Sequence, residues 1–344
     1  MRPETDSRLH QLKVPGVSVV ICCYNSSLRI SETLRHLAKQ VVDETIGWEI
    51  IIVDNCSVDN TREVAEKFWS SEGRNTPLRM VREETPGLSY ARNRGVIEAC
   101  FGIIIFCDDD NWLCDNYVQS AHSIMLTDKR IGIAGGWCKP DVHDKFDNWM
   151  IPFLPALAVG KPGAKTMYLK KLGKTVNGAG MVVRKEYYNN ITQKGFSSLL
   201  SDRTQNTLSS GGDTELCWVM MYSGYDILFD ESLFFRHFIP ASRLKKDYLL
   251  KLTLSSLYPS ILLNIYSFLF WNDQSGFGKF FVKEFVKKIY MTLYFLPRIV
   301  LGKYPLYSSV VFRQNIKMLG LLIYSFHQIR KDFNRIGFLR RVLA

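Results

Sequence analysis

The chain has 344 residues, of which 47% are hydrophobic and 22% are charged, so it can bury a core and is neither disordered nor of low complexity. Its net charge of +11 is concentrated at one end: residues 243–344 hold 17 Lys or Arg and 4 Asp or Glu, whereas residues 1–242 carry a net charge of −2. Because nucleic-acid-binding arms are usually polar and flexible, a basic segment with long apolar blocks argues against a nucleic-acid partner and favours an anionic membrane surface.

The first 135 residues alternate apolar runs with helical segments. The runs VSVVICC, WEIIIV, LRMV and GIIIFC predict strands, and their continuous apolar character predicts burial on both faces. Helical spacing of apolar residues predicts helices over 31–41, 61–69 and 89–100. Strands separated by helices are typical of a doubly wound, mostly parallel α/β sheet.

The pattern loosens beyond residue 136. Residues 139–174 are rich in Pro, Gly and Lys, which predicts a long loop or small insertion. Further on, MVVR at 181–184 and residues 226–238 predict strands, and residues 213–223 predict a helix that ends at Gly224. We therefore divide the chain into a polar N-terminal arm (1–16), a globular body (17–242) and a basic, hydrophobic helical extension (243–344).

The extension mixes Leu, aromatic residues and cations, a composition that suits helices lying in a membrane interface. Leu252–Trp271 is 20 residues without a charge, long enough to span a bilayer, but Pro259 and Asn264 make it a poor spanning helix. The alternative is a set of amphipathic helices packed on the body or in a homo-oligomer contact. The polar N-terminus has no apolar signal segment, so we expect the body at the cytoplasmic face of the membrane, held peripherally or monotopically.

Polar side chains follow three of the predicted strands. They are Tyr24 and Asn25 after the first, Asp54 after the second, and Asp108, Asp109 and Asp110 after GIIIFC. Ligands of doubly wound sheets bind beyond the carboxyl ends of the strands, so these groups are expected at one edge. If the strand continues, Asp108 and Asp110 point to the same side. Carboxylates beside a ligand phosphate predict a site for Mg²⁺ or Mn²⁺.

Two common nucleotide-binding motifs do not occur. The sequence has no GxxxxGK, and no GxGxxG follows the first strand. A P-loop kinase or ATPase and a dinucleotide oxidoreductase are therefore not supported. A nucleotide pocket in this chain would use side chains rather than a glycine cradle.

Six segments bring the chain close to a known family. In chain order they are SVVICCYN, IIVDNCSVDNT, GLSYARNRG, FCDDDNW, SGGDTELCWVMMYSGY and FFRHFIPASRL. Together they resemble the family 2 glycosyltransferases, inverting enzymes with the GT-A fold, over residues 17–244. The resemblance implies a nucleotide-binding half at 17–136 and a donor-sugar and acceptor half at 137–242.

The resemblance also implies roles for individual residues. The nucleotide-binding residues would be Tyr24, Asn25, Asp54, Gly87, Arg92, Asp108 and Asp109. The metal ligands would be Asp108, Asp110 and His237, with Mn²⁺ or Mg²⁺ as the cofactor. The donor-sugar pocket would be lined by Gly178, Ala179 and Gly180, whose small size lets a hexose approach the backbone. The catalytic base would be Asp213 or Glu215, because Gly212 stands where the family has the Glu of a Glu-Asp pair.

These roles predict a metal-dependent, inverting glycosyltransferase. A carboxylate at position 54 would accept a hydrogen bond from a pyrimidine imide, which favours a UDP-sugar donor. No Q-x-x-R-W motif occurs, so a single addition per acceptor is expected. The basic extension suits a saccharide or lipid-linked acceptor at the membrane, as in bacterial surface polysaccharide biosynthesis.

Several alternatives stay open. The acceptor could be a polyprenyl phosphate or a protein. The chain could be a catalytically silent GT-A module that binds nucleotide and docks a partner at the membrane. Nucleotidyl transfer is a further candidate, but CCYNSS lacks the Gly and the cation expected in its first loop.

Overall fold

The computed structural model describes residues 16–72, 75–142, 147–200, 208, 210–272 and 275–344. The predicted N-terminal arm lies outside these residues except for Gly16, which begins the first strand. The strands are β1 (Gly16–Cys23), β2 (Gly47–Asn55), β3 (Leu78–Glu83), β4 (Ile103–Asp108), β5 (Asn111–Leu113), β6 (Ile131–Asp141), β7 (Met167–Tyr168), β8 (Met181–Arg184) and β9 (Asp226–Phe238).

Helices connect the strands and make up the extension. The α-helices are α1 (Ile30–Ala38), α2 (Thr61–Glu72), α3 (Leu88–Glu98), α4 (Tyr117–Thr127), α5 (Lys185–Gln193), α6 (Gly212–Tyr222), α7 (Lys246–Ser255), α8 (Leu257–Trp271), α9 (Phe277–Phe295), α10 (Arg298–Leu301), α11 (Pro305–Tyr324) and α12 (Phe326–Leu343). Within the described residues there are also three 3-10 helices, Asn148–Leu157, Lys170–Leu172 and Ala241–Leu244.

All strands join one sheet in the order β3-β2-β1-β4-β8-β6-β9-β5, with β7 beside β9. The four strands β3, β2, β1 and β4 are parallel. The chain moves outward from β1 to β3 and then crosses to the other side of β1 to form β4. A topological switch point therefore lies between β1 and β4, where sheets of this kind bind ligands.

The apolar runs are buried on both faces of the sheet, as their composition predicted. In β1, Val20 packs in one core with α3 and α6, whereas Val19 and Ile21 pack in a second core with α1 and α4. All three side chains have no solvent exposure. The predicted α/β fold with a doubly wound, mostly parallel sheet is thus confirmed, and the antiparallel pairs are confined to its second half.

The second half of the sheet brings a distant segment to the switch point. β9 pairs in parallel with β6 and antiparallel with β5, and this register sets His237 beside Asn111. β4 ends at Asp108, and Asp109 and Asp110 form a turn before β5 begins. The expectation that Asp108 and Asp110 point to the same side required the strand to continue through Asp110. Because the strand ends at Asp108, strand alternation does not apply to this pair.

The inner helices of the extension are packed against the body. Apolar side chains of α8, among them Ile261, Ile265 and Tyr266, are buried in the same core as Leu216 and Cys217 of α6. Part of α12 joins this core through Ile329 and other residues. The body and the inner helices of the extension therefore share one hydrophobic core.

In the part of the chain that the structure describes, no single helix has the length and apolar character needed to cross a bilayer. The pair α7 and α8 meets both requirements when taken together, but the two helices are bent by 45° at their junction.

Candidate active site

A cleft of about 630 Å³ opens at the switch point. Its walls come from the ends of β1, β2 and β4, the start of α3, residues 177–179, the start of α6, and the extension. Ten predicted site residues line it: Tyr24, Gly87, Arg92, Asp108, Asp109, Asp110, Gly178, Ala179, Asp213 and His237. The parallel register explains why residues from separate strands meet in the cleft. It pairs Cys22 with Asp108 and Cys23 with Asp54, so the carboxyl ends of β1, β2 and β4 lie side by side.

Asp109 anchors the acidic turn to the first helix. Its carboxylate accepts hydrogen bonds from Ser26 Oγ and from Arg29 Nη2, the latter at 2.6 Å, and its carbonyl oxygen accepts one from Thr33 Oγ1 at 2.8 Å. Burial, followed by the charge of Asp110, raises the pKa of Asp109 despite the neighbouring guanidinium. These bonds fix the shape of the acidic turn. They also engage the Asp109 carboxylate, to which the resemblance assigned nucleotide binding.

Asp110, in the same turn, lies between two cationic groups. Arg243 Nη1 is 2.9 Å from Asp110 Oδ2, and His237 Nε2 is 3.6 Å from Asp110 Oδ1. Burial of the ring opposes a charged imidazolium, but the charge of Asp110 and its hydrogen bond prevail and raise the pKa of His237 to about 10. His237 Nδ1 is 3.1 Å from the carbonyl oxygen of Leu157, which orients the ring.

Asp213 meets the predicted donor-sugar segment at the start of α6. Its Oδ2 accepts a hydrogen bond from the N–H of Gly178 at 2.6 Å, and its Oδ1 accepts one from the N–H of Thr214 at 2.8 Å. A Cβ added to Gly178 would lie 2.6 Å from Arg92 Nη2 and 2.9 Å from Asp213 Cβ. A larger residue at position 178 would therefore displace the Arg92 and Asp213 side chains.

Glu215 faces the interior and does not line the cleft. The side chain has no exposure, and its carboxylate accepts hydrogen bonds from Ser198 Oγ at 2.5 Å, Leu199 N at 3.0 Å and Tyr266 Oη at 2.7 Å. Burial raises the pKa of this carboxyl group. Of the two acids left open as the base, only Asp213 is within reach of a ligand in the cleft.

Three other predicted site residues bond to neighbouring segments and do not line the cleft. Asn25 Oδ1 accepts from Val58 N at 3.0 Å, and Asp54 Oδ1 accepts from Ser57 N at 3.1 Å, so both hold the loop that follows β2. Gly180 has a φ of +68° and its carbonyl oxygen accepts from Tyr117 Oη at 2.5 Å. None of the three lines the cleft.

Sequence reasoning assigned no role to several residues that build the cleft. Asn55 accepts from the N–H of Gly87 at 2.7 Å and thereby holds the glycine at a φ of +139°. Arg29 and Arg243 pair with the acidic turn, as described above. The extension supplies a further wall, formed by Tyr248, Ser256, Pro259, Ser260 and Leu263. Arg243 stood inside the quoted segment FFRHFIPASRL, so its position in that segment was the available signal.

The chain is similar in sequence to known proteins. The model of glycosyl transferase family 2 matches residues 18–192, just over half of the chain. EpsH of Bacillus subtilis, a putative glycosyltransferase, is 31% identical over 108 residues, which cover 31% of this chain and 30% of EpsH. TuaG of the same organism, a putative teichuronic acid biosynthesis glycosyltransferase, is 31% identical over 112 residues, 32% of this chain and 42% of TuaG.

TarS of Staphylococcus aureus, a poly(ribitol-phosphate) beta-N-acetylglucosaminyltransferase, is 30% identical over 125 residues, 34% of this chain and 21% of TarS. A crystal structure of TarS residues 1–349 in complex with UDP-GlcNAc aligns with 91% of this chain and 92% of that chain, with a TM-score of 0.48 and 16% identity. The aligned segments thus span less than half the length of these curated relatives.

The family match begins in β1 and ends in α5, so it contains the switch point, the acidic turn and the donor-sugar segment. The same region carries four of the six segments on which the sequence resemblance rested. The chain belongs to glycosyl transferase family 2.

Proposed function

We propose that this protein is an inverting glycosyltransferase that moves a sugar from a UDP-sugar to a saccharide or lipid-linked acceptor at a membrane surface. The observation that carries the proposal is that Asp213 and the Asp108–Asp110 turn line the same cleft at the switch point. A displacement at an anomeric carbon needs a base for the acceptor hydroxyl and charge neutralisation for the leaving group. The cleft offers a group for each task.

Asp213 is the proposed base. Inverting transfer is a direct displacement in which the acceptor oxygen attacks as the bond to the leaving diphosphate breaks. The Asp213 carboxylate would take the proton of the attacking hydroxyl. The N–H groups of Gly178 and Thr214 hold its two oxygens, and the positive end of α6 lies beside it.

Cationic side chains around the acidic turn would bind the diphosphate. Arg92 Nη2 is 4.0 Å from Asp108 Oδ1, and Arg243 and His237 flank Asp110. The negative charge that grows on the departing nucleoside diphosphate would be stabilised by these fixed groups.

The acidic groups fit a divalent cation whose coordination is completed by the donor. Across the described ranges, no group of three His, Cys, Asp or Glu side chains could hold a metal ion by itself. Mg²⁺ is commonly held by one or two carboxylates together with substrate phosphates, and Asp108 and Asp110 line the cleft as two such carboxylates. His237 would join them as a ligand only after losing the proton that its contact with Asp110 favours. When bound, Mn²⁺ or Mg²⁺ would neutralise charge on the leaving diphosphate.

Two features favour UDP-GlcNAc as the first donor to test. Tyr24 lines the cleft and is 39% exposed, so its ring is available to stack on a base. The relative TarS is an N-acetylglucosaminyltransferase by its name. The small residues Gly178 and Ala179 would lie against the sugar.

The proposed acceptor is a cell-surface polymer or its lipid-linked precursor, reached from the cytoplasmic face of the membrane. TuaG is named for teichuronic acid biosynthesis and TarS for poly(ribitol-phosphate), which supports this class. A polyprenyl phosphate or a protein is the alternative acceptor. The presence of Asp213 in the cleft disfavours a catalytically silent module.

A thermal-shift panel tests the donor site. UDP, GDP, dTDP and CMP are added to purified protein with and without Mn²⁺, beside the variant Asp110→Ala and the control Asp115→Ala, which alters an exposed acid. We expect UDP to stabilise the wild type and the control when Mn²⁺ is present, by about 2.7 kcal/mol at 100 times the dissociation constant. Asp110→Ala should lose this shift. A folded wild-type protein that responds to no nucleotide would overturn the proposal.

A further inference from the structure

The helix α9 presents an apolar stripe to solvent. Its inner side is anchored by Phe280, which is fully buried in the main core. Its outer side carries four aliphatic residues at i, i+4, i+7 and i+11, a spacing that places them on one face of a helix. They are Val282, Val286, Ile289 and Leu293, exposed by 61%, 58%, 42% and 63%.

The stripe continues past the end of the helix. Tyr290 adjoins it on α9, and Leu296, Val300 and Leu301 extend it through the following turn and α10. Val300 and Leu301 are more than 80% exposed. We call the eight side chains Val282, Val286, Ile289, Tyr290, Leu293, Leu296, Val300 and Leu301 the α9–α10 face. Continuous apolar surface of this kind marks an interaction site.

The surroundings of the α9–α10 face are positively charged. Residues 277–303, all of which the structure describes, contain six Lys or Arg and a single acid. That acid, Glu284, is buried, accepts a hydrogen bond from Asn264 Nδ2 at 2.9 Å and lies 3.6 Å from Lys287 Nζ. Lys283 and Lys287 each follow a stripe residue directly, so they lie along one edge of the stripe.

We propose that the α9–α10 face lies in the interface of an anionic lipid bilayer. An apolar stripe flanked by lysines would insert among the acyl chains while the cations meet lipid headgroups. A second copy of this chain would bring like charges together across the contact, so it fits the face poorly. The inference deepens the proposed function, because it names the surface that would hold the enzyme beside a membrane-held acceptor.

Hydropathy alone would choose a different helix, α8, as the lipid-facing surface. The most apolar stretch of the extension forms α8, whose residues Leu257, Ile261 and Ile265 are buried in the core shared with α6. These side chains are not available to lipid in the folded protein. The less apolar helix α9 offers the outward-facing surface.

One 3-10 helix has the cleft at one end and a groove that follows the α9–α10 face in sequence at the other. The 3-10 helix Asn148–Leu157 borders the cleft through Pro155 and Ala156. Its other end borders a groove of about 370 Å³ next to α10, lined by Asn148, Trp149, Ile151, Lys303, Tyr304, Pro305, Leu306 and Tyr307. The groove begins two residues beyond Leu301, and the 3-10 helix separates it from the cleft.

Co-sedimentation with vesicles tests the proposal. Full-length protein is mixed with phosphatidylcholine vesicles with or without phosphatidylglycerol. The test variant is Val286→Glu with Leu293→Glu, and the matched control is Ile97→Glu with Leu126→Glu, which changes two exposed apolar residues of the body and gives the same net charge. All four positions are exposed, so the variants should fold, and thermal unfolding checks this.

We expect the wild type and the control to bind the anionic vesicles and the test variant to bind at least 10-fold more weakly. Lys283→Gln with Lys287→Gln should weaken binding to anionic vesicles and reduce its salt dependence. Equal vesicle binding by the test variant and the wild type would overturn the proposal. A wild type that does not co-sediment with anionic vesicles would also overturn it. A wild-type dimer that the test variant dissociates would show instead that the face joins two copies. The UDP shift is measured in the same samples, so failure of the donor site is recognised separately.

Discussion

At the scale of single residues, the separation of Asp213 from Glu215 follows from helix geometry. Two residues apart on a helix are about 200° apart around its axis. Asp213 therefore faces the cleft while Glu215 faces the core, where it binds Ser198, Leu199 and Tyr266. Asp213 is therefore placed to act as the proposed base, whereas Glu215 is placed to stabilise the core.

Replacing Asp213 by Asn should remove the base and keep the donor site. The amide retains an oxygen that can accept from the N–H of Gly178 but cannot take a proton from the acceptor. We expect kcat to fall about 10²–10⁴-fold with little change in UDP affinity. Steady-state transfer assays and UDP titrations measure the two effects, with Asp115→Asn as the control. A fully active Asp213→Asn variant would exclude this residue as the base.

Gly178→Ala should disturb catalysis more than stability. The added methyl group would meet Arg92 Nη2 and Asp213 Cβ, so both side chains must shift. A misplacement of this size can lower the transfer rate roughly 10²-fold. Gly320→Ala is the control, because an added Cβ there meets nothing within 4 Å. Unchanged transfer by Gly178→Ala would show that the three groups need not be in close contact.

At the scale of elements, a chain of hydrogen bonds joins α6 to α8. Tyr222 Oη donates to the carbonyl oxygen of Tyr266 at 2.6 Å, and Tyr266 Oη donates to Glu215 at 2.7 Å. Both tyrosine side chains are buried. The helix that carries Asp213 is therefore fixed against the extension through specific polar bonds as well as apolar packing.

Tyr266→Phe should weaken this junction. The change leaves the buried carboxylate of Glu215 with one donor fewer, which costs about 1–3 kcal/mol. Urea denaturation measures the free energy of unfolding, and Tyr290→Phe, an exposed tyrosine, is the control. If the two variants unfold at the same urea concentration, the Tyr266 bond contributes nothing to stability.

At the scale of the whole molecule, the extension completes both the core and the cleft. Tyr248, Pro259 and Leu263 line the cleft, and Ile261 and Ile265 are buried against the body. The same segment turns α9 outward with its apolar stripe. One stretch of chain thus has an inner side that stabilises the body and an outer side that is free for a partner.

Deleting residues 246–344 should therefore prevent formation of a stable body. The deletion exposes the apolar side of α6 and removes a wall of the cleft. We expect an aggregated protein, or one without a cooperative thermal transition and without UDP binding. A soluble fragment of residues 1–245 that unfolds cooperatively and binds UDP would show instead that the extension is dispensable.

Local sequence patterns were sufficient to predict the parallel half of the sheet and the edge where the polar residues gather. Runs such as VSVVICC and GIIIFC are apolar at every position, which requires burial on both faces, and strands of this kind are parallel with level carboxyl ends. The motif order was sufficient for the family, because each motif is local in the chain. The strand-end patterns predicted Tyr24, Asn25, Asp54 and the acidic turn, whereas the family resemblance implied the other candidate site residues.

The packing of the extension could not be predicted from local sequence patterns. Periodicity predicts that α8 and α9 are apolar helices, but it does not say which side of each meets the body. That choice depends on long-range packing, which buries α8 against α6 and leaves the stripe on α9 exposed. The pairing of Asp110 with Arg243 also spans 133 positions in the sequence. No local pattern records such a contact, because it forms only when β9 returns beside β5.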